Sequence, residues 1–457
     1  MPNLPNDTGD TVKDLKDLME RSDVTAIAAR VEEILPLELA RTVSRFDEAD
    51  KTRFLELLGP ARAAFVLSKL SGIGAAAIID QMDPNEAAPI VGEMASHDQA
   101  ALLRNICGHR AERILRDVET TAASETRELL NYPENTAGAL MIKEYLSYNG
   151  RQLVKDVLED MRRFGEDYSD YDIQYAYVVS DIGELIGVLR LRDLLMAARH
   201  KPIEEIMIKN PLRLDVGTSL RDLRDFFGQH ALLGVPITNE RGVLVGVVRA
   251  SNVREAATRQ SNQIFLKFAG IVGGEEFRTM SLFRRSSRRL SWLSINIVLN
   301  IIAASVIALY QDTLEKAIVL AVFLPIISDM SGCSGNQAVA VSIRELTLGL
   351  VRPMELLRVL AKEASVGLVN GIVLGLLLGG AALVWKGNPY LGLVVGVSLA
   401  ANTLVAVSFG GLIPLILRGL RTDPALASGP MLTTITDMCG FFLVLRFASV
   451  MLPRLGG

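Results

Sequence analysis

The apolar positions of this chain change their spacing twice. Between residues 54 and 118 they recur every 12 residues: Phe54, Val66, Ile78, Ile90, Leu102 and Ile114 form one series, and Leu55, Leu67, Ile79, Val91, Leu103 and Leu115 the next. A third series runs Leu58, Leu70, Met82, Met94, Ile106 and Val118. Within each unit the apolar residues fall at i, i+1 and i+4, which is one face of a short helix. Asp83-Pro84 reads as an N-cap followed by Pro at the first helical position, and Gly59-Pro60 marks another break. Helices this short bury their faces only by stacking on neighbours, so residues 1–136 are expected to form an α-helical superhelical domain.

From residue 137 to 260 the spacing becomes that of alternating strands and helices. YAYVVSDIGELIGVLRLRDLL (175–195) and LLGVPITNERGVLVGVVRASNV (232–253) each give a strand, a Gly-containing turn, a second strand and a helix start. An α/β unit repeated in tandem follows, and it resembles a pair of CBS domains. Such domains commonly sense adenosine nucleotides or ions, and their nucleotide sites usually end the second strand with Ser/Thr and then an Asp for the ribose. Here those places hold Arg190 with Asp193, and Arg249 with Asn252. Tight ATP binding is not expected. Residues 261–287 are expected to be a connecting amphipathic helix, with Ile264, Phe265, Phe268 and Ile271 on one face.

Beyond residue 288 the apolar runs become continuous. Five stretches, 290–311, 316–343, 363–385, 390–417 and 430–452, each reach the roughly 20 residues a bilayer demands. The expected architecture is therefore multidomain, ending in a transmembrane domain of five helices over 288–457. Charge follows this division, with a net of −10 over residues 1–280 and +6 over 281–457. Arg284, Arg285, Arg288 and Arg289 precede the first span. Arg344, Arg352, Arg358 and Lys362 separate the second and third, and Arg418 and Arg421 the fourth and fifth. The positive-inside rule then puts the N-terminal part in the cytoplasm and the C-terminus outside. No apolar h-region opens the chain, so no cleavable signal peptide is expected. Gly367, Gly371, Gly375 and Gly379 repeat at every fourth position in the third span, a pattern of close helix packing.

Two spans carry carboxylates. Asp329 opens the stretch DMSGCSGNQ in the second, and Asp437 closes TTITD in the fifth. A charged residue at bilayer depth costs about 2.5–3.5 kcal/mol on insertion scales, so such residues face a bundle interior or water. Thr433, Thr434 and Thr436 add hydroxyl oxygens beside Asp437, and Gly332 and Gly335 are expected to loosen the helix and free carbonyls. Carboxylate, hydroxyl, carbonyl and water oxygens suit a hard divalent cation, with Mg²⁺ keeping several of its waters.

The order of parts resembles the MgtE family of magnesium channels over nearly the whole chain. LLNYPENTAGALM (129–141), the Pro325–Gln337 segment ending in GNQ, and TDPALASGPMLTTITD (422–437) carry the likeness. The resemblance implies a homodimer in the inner membrane. Its pore would lie between subunits, with spans two and five lining it. Asp437 would hold hydrated magnesium, and Gly335 and Asn336 would face the ion. Asp329 is expected to join Asp437 as a metal site. Gly332, Ser334, Gln337, Thr433, Thr434 and Thr436 are expected to line the pore. The family reads close to G-G-N-x-G-N-Q where this chain has Ser331 to Gln337 with Cys333, and it has a small residue at Asp329. In the family, magnesium also bridges acidic residues around the end of the second CBS domain to close the channel. Residues 251–263 hold only Glu255. Asp83 and Glu86 are further candidates for a regulatory cation, as are Glu166, Asp167, Asp170 and Asp172.

Transport of Mg²⁺ is the expected function. Coupled transport of Mn²⁺ or Co²⁺, or a nucleotide-responsive CBS sensor without flux, are the alternatives. No enzyme is expected: the four histidines all fall before residue 231, and no Walker loop or HExxH occurs. Cys107, Cys333 and Cys439 form no CxxC pair. No nucleic-acid partner is expected.

Overall fold

The 12-residue pattern becomes a 12-residue helix repeat. In the computed structural model the chain opens with α1 (Thr8–Glu20), α2 (Val24–Glu33) and α3 (Pro36–Ser44). Six helices then start at residues 48, 60, 72, 84, 96 and 108: α4 (Glu48–Leu58), α5 (Pro60–Lys69), α6 (Gly72–Ile79), α7 (Pro84–Gly92), α8 (Ser96–Leu103) and α9 (Gly108–Asp117). They are followed by α10 (Thr120–Asn131). The structure describes residues 8–455 apart from 71, 166, 167, 169–174, 274, 275, 277–281 and 421. The four acids at 166, 167, 170 and 172, and Arg421, lie outside the described residues.

Caps and a turn glycine mark several of the repeat boundaries. Asp47 accepts a hydrogen bond from the Asp50 amide (2.8 Å) and Asp83 one from the Asn85 amide (2.9 Å). Gly59, at φ +75°, turns α4 into α5 in a conformation that side chains avoid. Helices pack on their second neighbours, α5 on α7 and α7 on α9, α6 on α8 and α8 on α10. Seventeen of the eighteen residues in the three apolar series are buried in one core, and the eighteenth, Leu70, packs against it.

The following region repeats one design twice. After the short α11 (Ala137–Leu140), β1 (Leu146–Asn149) pairs parallel with β2 (Tyr175–Val179), with α12 (Val154–Arg163) between them in sequence. β2 pairs antiparallel with β3 (Leu185–Arg190), followed by α13 (Leu191–Met196), and β4 (Ile208–Lys209) closes the sheet. The second sheet matches it: β5 (Leu214–Asp215) runs parallel to β6 (Gly234–Thr238), which pairs antiparallel with β7 (Leu244–Arg249); α14 (Leu220–Gln229) links β5 to β6. β2 and β6 start 59 residues apart, and both lose register at the same place, between Val178 and Val179 and between Ile237 and Thr238. The two strand turns also bond to each other, Leu185 N–H to the Gly242 carbonyl and Leu244 N–H to that of Gly183, both at 3.1 Å.

The connecting element differs from the sequence expectation. α15 (Ala250–Phe268) starts directly after β7 and ends well before residue 287. Gly270 (φ +81°) and Gly273 (φ +93°) turn the chain there, so 261–287 is not one helix. Contacts divide the protein into two units, residues 1–259 and 260–457, and the boundary falls within α15.

The second unit is helical among the described residues: α16 (Leu282–Leu309), α17 (Gln311–Lys316), α18 (Leu320–Leu348), α19 (Leu356–Lys386), α20 (Pro389–Gly419) and α21 (Pro424–Leu455). Four of these, α16, α19, α20 and α21, are long and apolar enough to cross a membrane. α18 has the length, 29 residues, but its apolar run is interrupted by Ser328–Gln337. The glycine row of α19 does what its spacing predicts. A Cβ on Gly371 or Gly375 would lie 2.5 Å from the carbonyl oxygen of Ala400 or Gly396 on α20, and one on Gly379 would lie 2.7 Å from that of Gly392. Backbones so close gain dispersion contacts that larger residues would prevent.

Candidate ion pathway

α18 and α21 bring the two predicted polar stretches together. Gly332 on α18 faces α21: the nearest atom to a Cβ built there is the Thr436 hydroxyl, at 4.0 Å. One turn earlier, the Ser328 hydroxyl donates a hydrogen bond to the Asp437 carboxylate. Asp437 is therefore half-buried beside a donor from the other helix. Ser328 escaped sequence reasoning because a serine in an apolar run carries no signal until its partner, 109 positions away, is known.

The glycines of α18 correct an expectation. The helix runs unbroken through Gly332 and Gly335, so no carbonyls are freed by a break there. Gly335 is a packing glycine instead. A Cβ at that position would sit 2.9 Å from both the Ala406 carbonyl oxygen on α20 and Leu432 Cδ2 on α21. Gly410 on α20 is its counterpart, with its own Cβ position against the Gly335 carbonyl.

The remaining candidates divide between two faces. Ser334, Gly335 and Thr436 are buried inside the unit; Gly332, Asn336, Thr433 and Thr434 are half-buried. Asp329, Cys333 and Gln337, spaced by four residues, line the exposed face of α18. The three threonines direct their hydroxyls at carbonyls of their own helix: Thr433 to Gly429 (3.0 Å), Thr434 to Pro430 (2.8 Å) and Thr436 to Thr433 (2.9 Å). Their oxygen lone pairs keep acceptor capacity for a cation or its waters. Among the described residues no group of three or more His, Cys, Asp or Glu converges as a metal site.

Behind this contact lies a polar cluster that sequence reasoning missed. Asn402 on α20 is fully buried, and its Nδ2 donates to Ser331 Oγ on α18 (2.5 Å) and to the Thr436 carbonyl on α21 (3.0 Å). Neither role is visible in the sequence: Ser331 is one of several small polar residues in its stretch, and Asn402 lies in an otherwise largely apolar helix with no sign of its distant partners.

Among the candidates in residues 1–259 the structure separates roles. Asp83 caps α7, and Glu86 is exposed in that helix's first turn. Glu255, on α15, bonds to Arg259 (3.4 Å) and lies within electrostatic reach of Asp98 on α8, a carboxylate the sequence did not single out. Burial, chiefly, holds the Asp98 carboxyl above its ordinary value; His97 opposes the rise, Glu255 adds to it, and Arg259 and Lys69 oppose it. At the strand ends, Arg190 donates to Asp193 (2.6 Å), holding that carboxylate below its usual range. A ribose hydroxyl at Asp193 would have to compete with this guanidinium.

These features define the class: a protein with several apolar helices of membrane length, a polar seam between two helices of that unit, and a helical repeat plus tandem α/β domains ahead of it. Family models sharpen this. Residues 324–447 match the model described as "Divalent cation transporter", residues 34–135 the MgtE intracellular N domain, and residues 137–200 and 203–259 the CBS domain. Three magnesium transporters named MgtE are similar to this chain. The one from Enterococcus faecalis is 32% identical over 72% of each chain. That from Thermus thermophilus is 31% identical over 72% of this chain and 73% of its own. The Bacillus subtilis protein is 29% identical over 74% of each. Among solved structures, the cytosolic domain of the Mg²⁺ channel MgtE in complex with ATP is 28% identical with a TM-score of 0.50, covering 53% of this chain and 99% of its own. The chain belongs to the MgtE family of multi-pass membrane ion transporters.

Proposed function

We propose that this protein carries Mg²⁺ across the inner membrane as a homodimer, along a path between the two copies lined by α18 and α21. Five helices cross the bilayer in this reading, α16 and α18 to α21, with residues 1–280 in the cytoplasm and the C-terminus outside. Asp437 is the principal ion site and Asp329 a second carboxylate on the path. Gly332, Asn336, Gln337, Thr433 and Thr434 contribute to its walls, while Ser334, Gly335 and Thr436 hold the helices behind it. The carrying observation is the exposed face of α18, where Asp329, Cys333 and Gln337 follow one another in the middle of a 29-residue helix flanked by apolar runs. Lipid cannot satisfy a carboxylate and an amide, so that face needs water or a second copy. Asp437, half-buried behind it, has the oxygen chemistry for a hydrated Mg²⁺ held through its waters.

One observation favours a second reading. Cys333 shares the exposed face with Asp329, and a thiol prefers softer ions, so Mn²⁺ or Co²⁺ is the alternative cargo. On the cytoplasmic side, Glu255 and Asp98 are the carboxylates best placed to answer a regulatory cation, with Asp83 and Glu86 secondary. The Arg190–Asp193 pair argues against tight ATP binding here, although a relative's cytosolic domain holds ATP.

Expression in a bacterium lacking its own magnesium transporters tests the reading. The wild-type protein is expected to restore growth at low Mg²⁺, and Asp437→Ala to abolish the rescue at equal membrane abundance. Oxidation is expected to link two copies through the native Cys333. Full rescue by Asp437→Ala would overturn the site, and rescue only by Mn²⁺ or Co²⁺ would overturn the cargo.

A further inference from the structure

We infer that Asn402 is a positioning residue for the ion site: it sets the spacing between α18 and α21 and so holds Ser328 against Asp437. The inference rests on the reading of Asp437 as the ion site. Asn402 does not touch the pathway itself. It sits on α20, fully buried, and reaches both lining helices with one amide nitrogen. Its two acceptors are next to the groups that matter. The Thr436 carbonyl belongs to the residue before Asp437, and Ser331 lies one turn after Ser328 on the same helix.

Three features show that the contact is built rather than incidental. First, Ser331 Oγ donates its own proton to the Ile327 carbonyl (2.6 Å), which leaves the oxygen free to accept from Asn402. Second, α21 approaches only because residue 440 is Gly; a Cβ there would lie 2.7 Å from Asn402 Nδ2. Third, Asn402 Oδ1 has no donor among the described residues, as do the buried hydroxyls of Ser398 and Thr403 nearby in sequence. A buried amide with an unsatisfied oxygen is unfavourable in an apolar environment, so a role confined to filling space would be served better by Leu. The nitrogen's two bonds are what Asn supplies and Leu cannot.

The geometry determines what is transmitted. With Nδ2 bridging them, α18 and α21 are fixed at 331 and 436, one turn or less from the Ser328–Asp437 pair. Removing the bridge lets the helices shift relative to each other, and a carboxylate oriented by one hydroxyl loses that orientation. The affected quantity is ion affinity, ahead of the maximal rate.

Mg²⁺ uptake by the full-length protein in liposomes, measured against concentration, tests this. Asn402→Leu is expected to raise the half-saturating concentration about tenfold, the scale of one lost hydrogen bond that orients a charged group, with the maximal rate changed less. Ser331→Ala, which removes one acceptor only, is expected to shift it in the same direction by less, and serves if Asn402→Leu does not reach the membrane. In a Ser328→Ala background the Asn402→Leu change is expected to add little, because both act on one carboxylate. Unchanged half-saturation in both single variants, or full additivity with Ser328→Ala, would overturn the positioning role. If Asp437→Asn itself keeps wild-type half-saturation, the ion-site reading fails, and the Asn402 proposal fails with it; if Asp437→Asn loses uptake while Asn402→Leu and Ser331→Ala do not, only the latter fails.

Discussion

The helical repeat and the membrane unit are both built from packed helices, yet their sequences encode packing by opposite means. In the repeat, water surrounds the helices, so large apolar residues mark the inside. Phe54, Leu55, Val66 and Leu67 are all buried at 1% exposure or less. In the membrane unit both faces of a helix are apolar, and size carries the information instead. Leu376 and Leu377 on α19 are 73% and 65% exposed, while Gly371, Gly375 and Gly379 on the same helix are buried against α20. With no hydrophobic drive between helices in lipid, close backbone approach and internal hydrogen bonds take over.

The largest test of this contrast swaps the substitutions. Phe54→Ala empties a core position in the repeat and is expected to destabilise it by about 3–5 kcal/mol. Gly375→Leu should do still more damage to the membrane unit, because the added side chain meets the Gly396 carbonyl rather than a flexible neighbour. Leu376→Ala, on the outward face of the same helix, should change stability by no more than about 0.5 kcal/mol. Thermal unfolding and yield of the detergent-purified protein would read all three. Equal losses from Leu376→Ala and Phe54→Ala would show that α19's outward face is covered, and the contrast would fail.

That contrast also explains what was legible beforehand. The repeat's period was legible, since helix starts follow the 12-residue spacing and Asp83-Pro84 caps α7 as expected. The tandem α/β units were legible because their strand turns each need a glycine, Gly183 and Gly242, at positive φ. The membrane helices were visible as apolar runs, but not their facing. Gly332 and Gly335 were read as helix breakers, and the structure uses Gly335 for contact with α20 and α21. Nothing local distinguishes a glycine that loosens a helix from one that admits a neighbour. Ser328, Ser331 and Asn402 were missed for the same reason: their partners are 71 to 109 positions away, or on a third helix. Asp437 and Asp329 stood out because a carboxylate is conspicuous in an apolar run whatever it faces.

A second, smaller effect concerns the C-terminal part of α15, which packs within the membrane unit. Ile264 of α15 packs with the cluster containing Val339, Ile343, Leu417 and Leu432, and Lys267 pairs with Asp423 before α21 (2.8 Å). Movement of α15 would therefore be felt by α18 and α21. Closing by a divalent ion requires that the ion bind the closed state better than the open one. Residues 251–263 supply only Glu255, already bonded to Arg259. Millimolar Mg²⁺ is accordingly expected to protect residues 250–285 from limited proteolysis only weakly. Strong protection would show that other acids, Asp98 foremost, complete a sensor.

The smallest predicted effect is a pH dependence confined to the contact between α8 and α15. Asp98 faces Glu255 and Arg259 from α15, Lys69 from α5, and its neighbour His97, whose Nε2 lies 3.2 Å from a carboxylate oxygen. Burial makes the folded protein bind the Asp98 proton more tightly than the unfolded chain does. For a carboxyl raised in this way, the stabilising contribution is fully present below the unfolded value of about 3.9. It is lost as the pH rises through the higher folded value, so at neutral pH the ionised group opposes folding. Asp98→Asn should therefore raise the unfolding temperature of the full-length protein at pH 7, and the difference from wild type should shrink on acidification. Comparing the two proteins at each pH removes the opposing slopes of Asp47 and Asp193, whose carboxyls are held below their usual range. The Asn variant melting below wild type at pH 7 would mean that the ionised carboxylate is stabilised at this contact, by His97 and Arg259, more than burial penalises it.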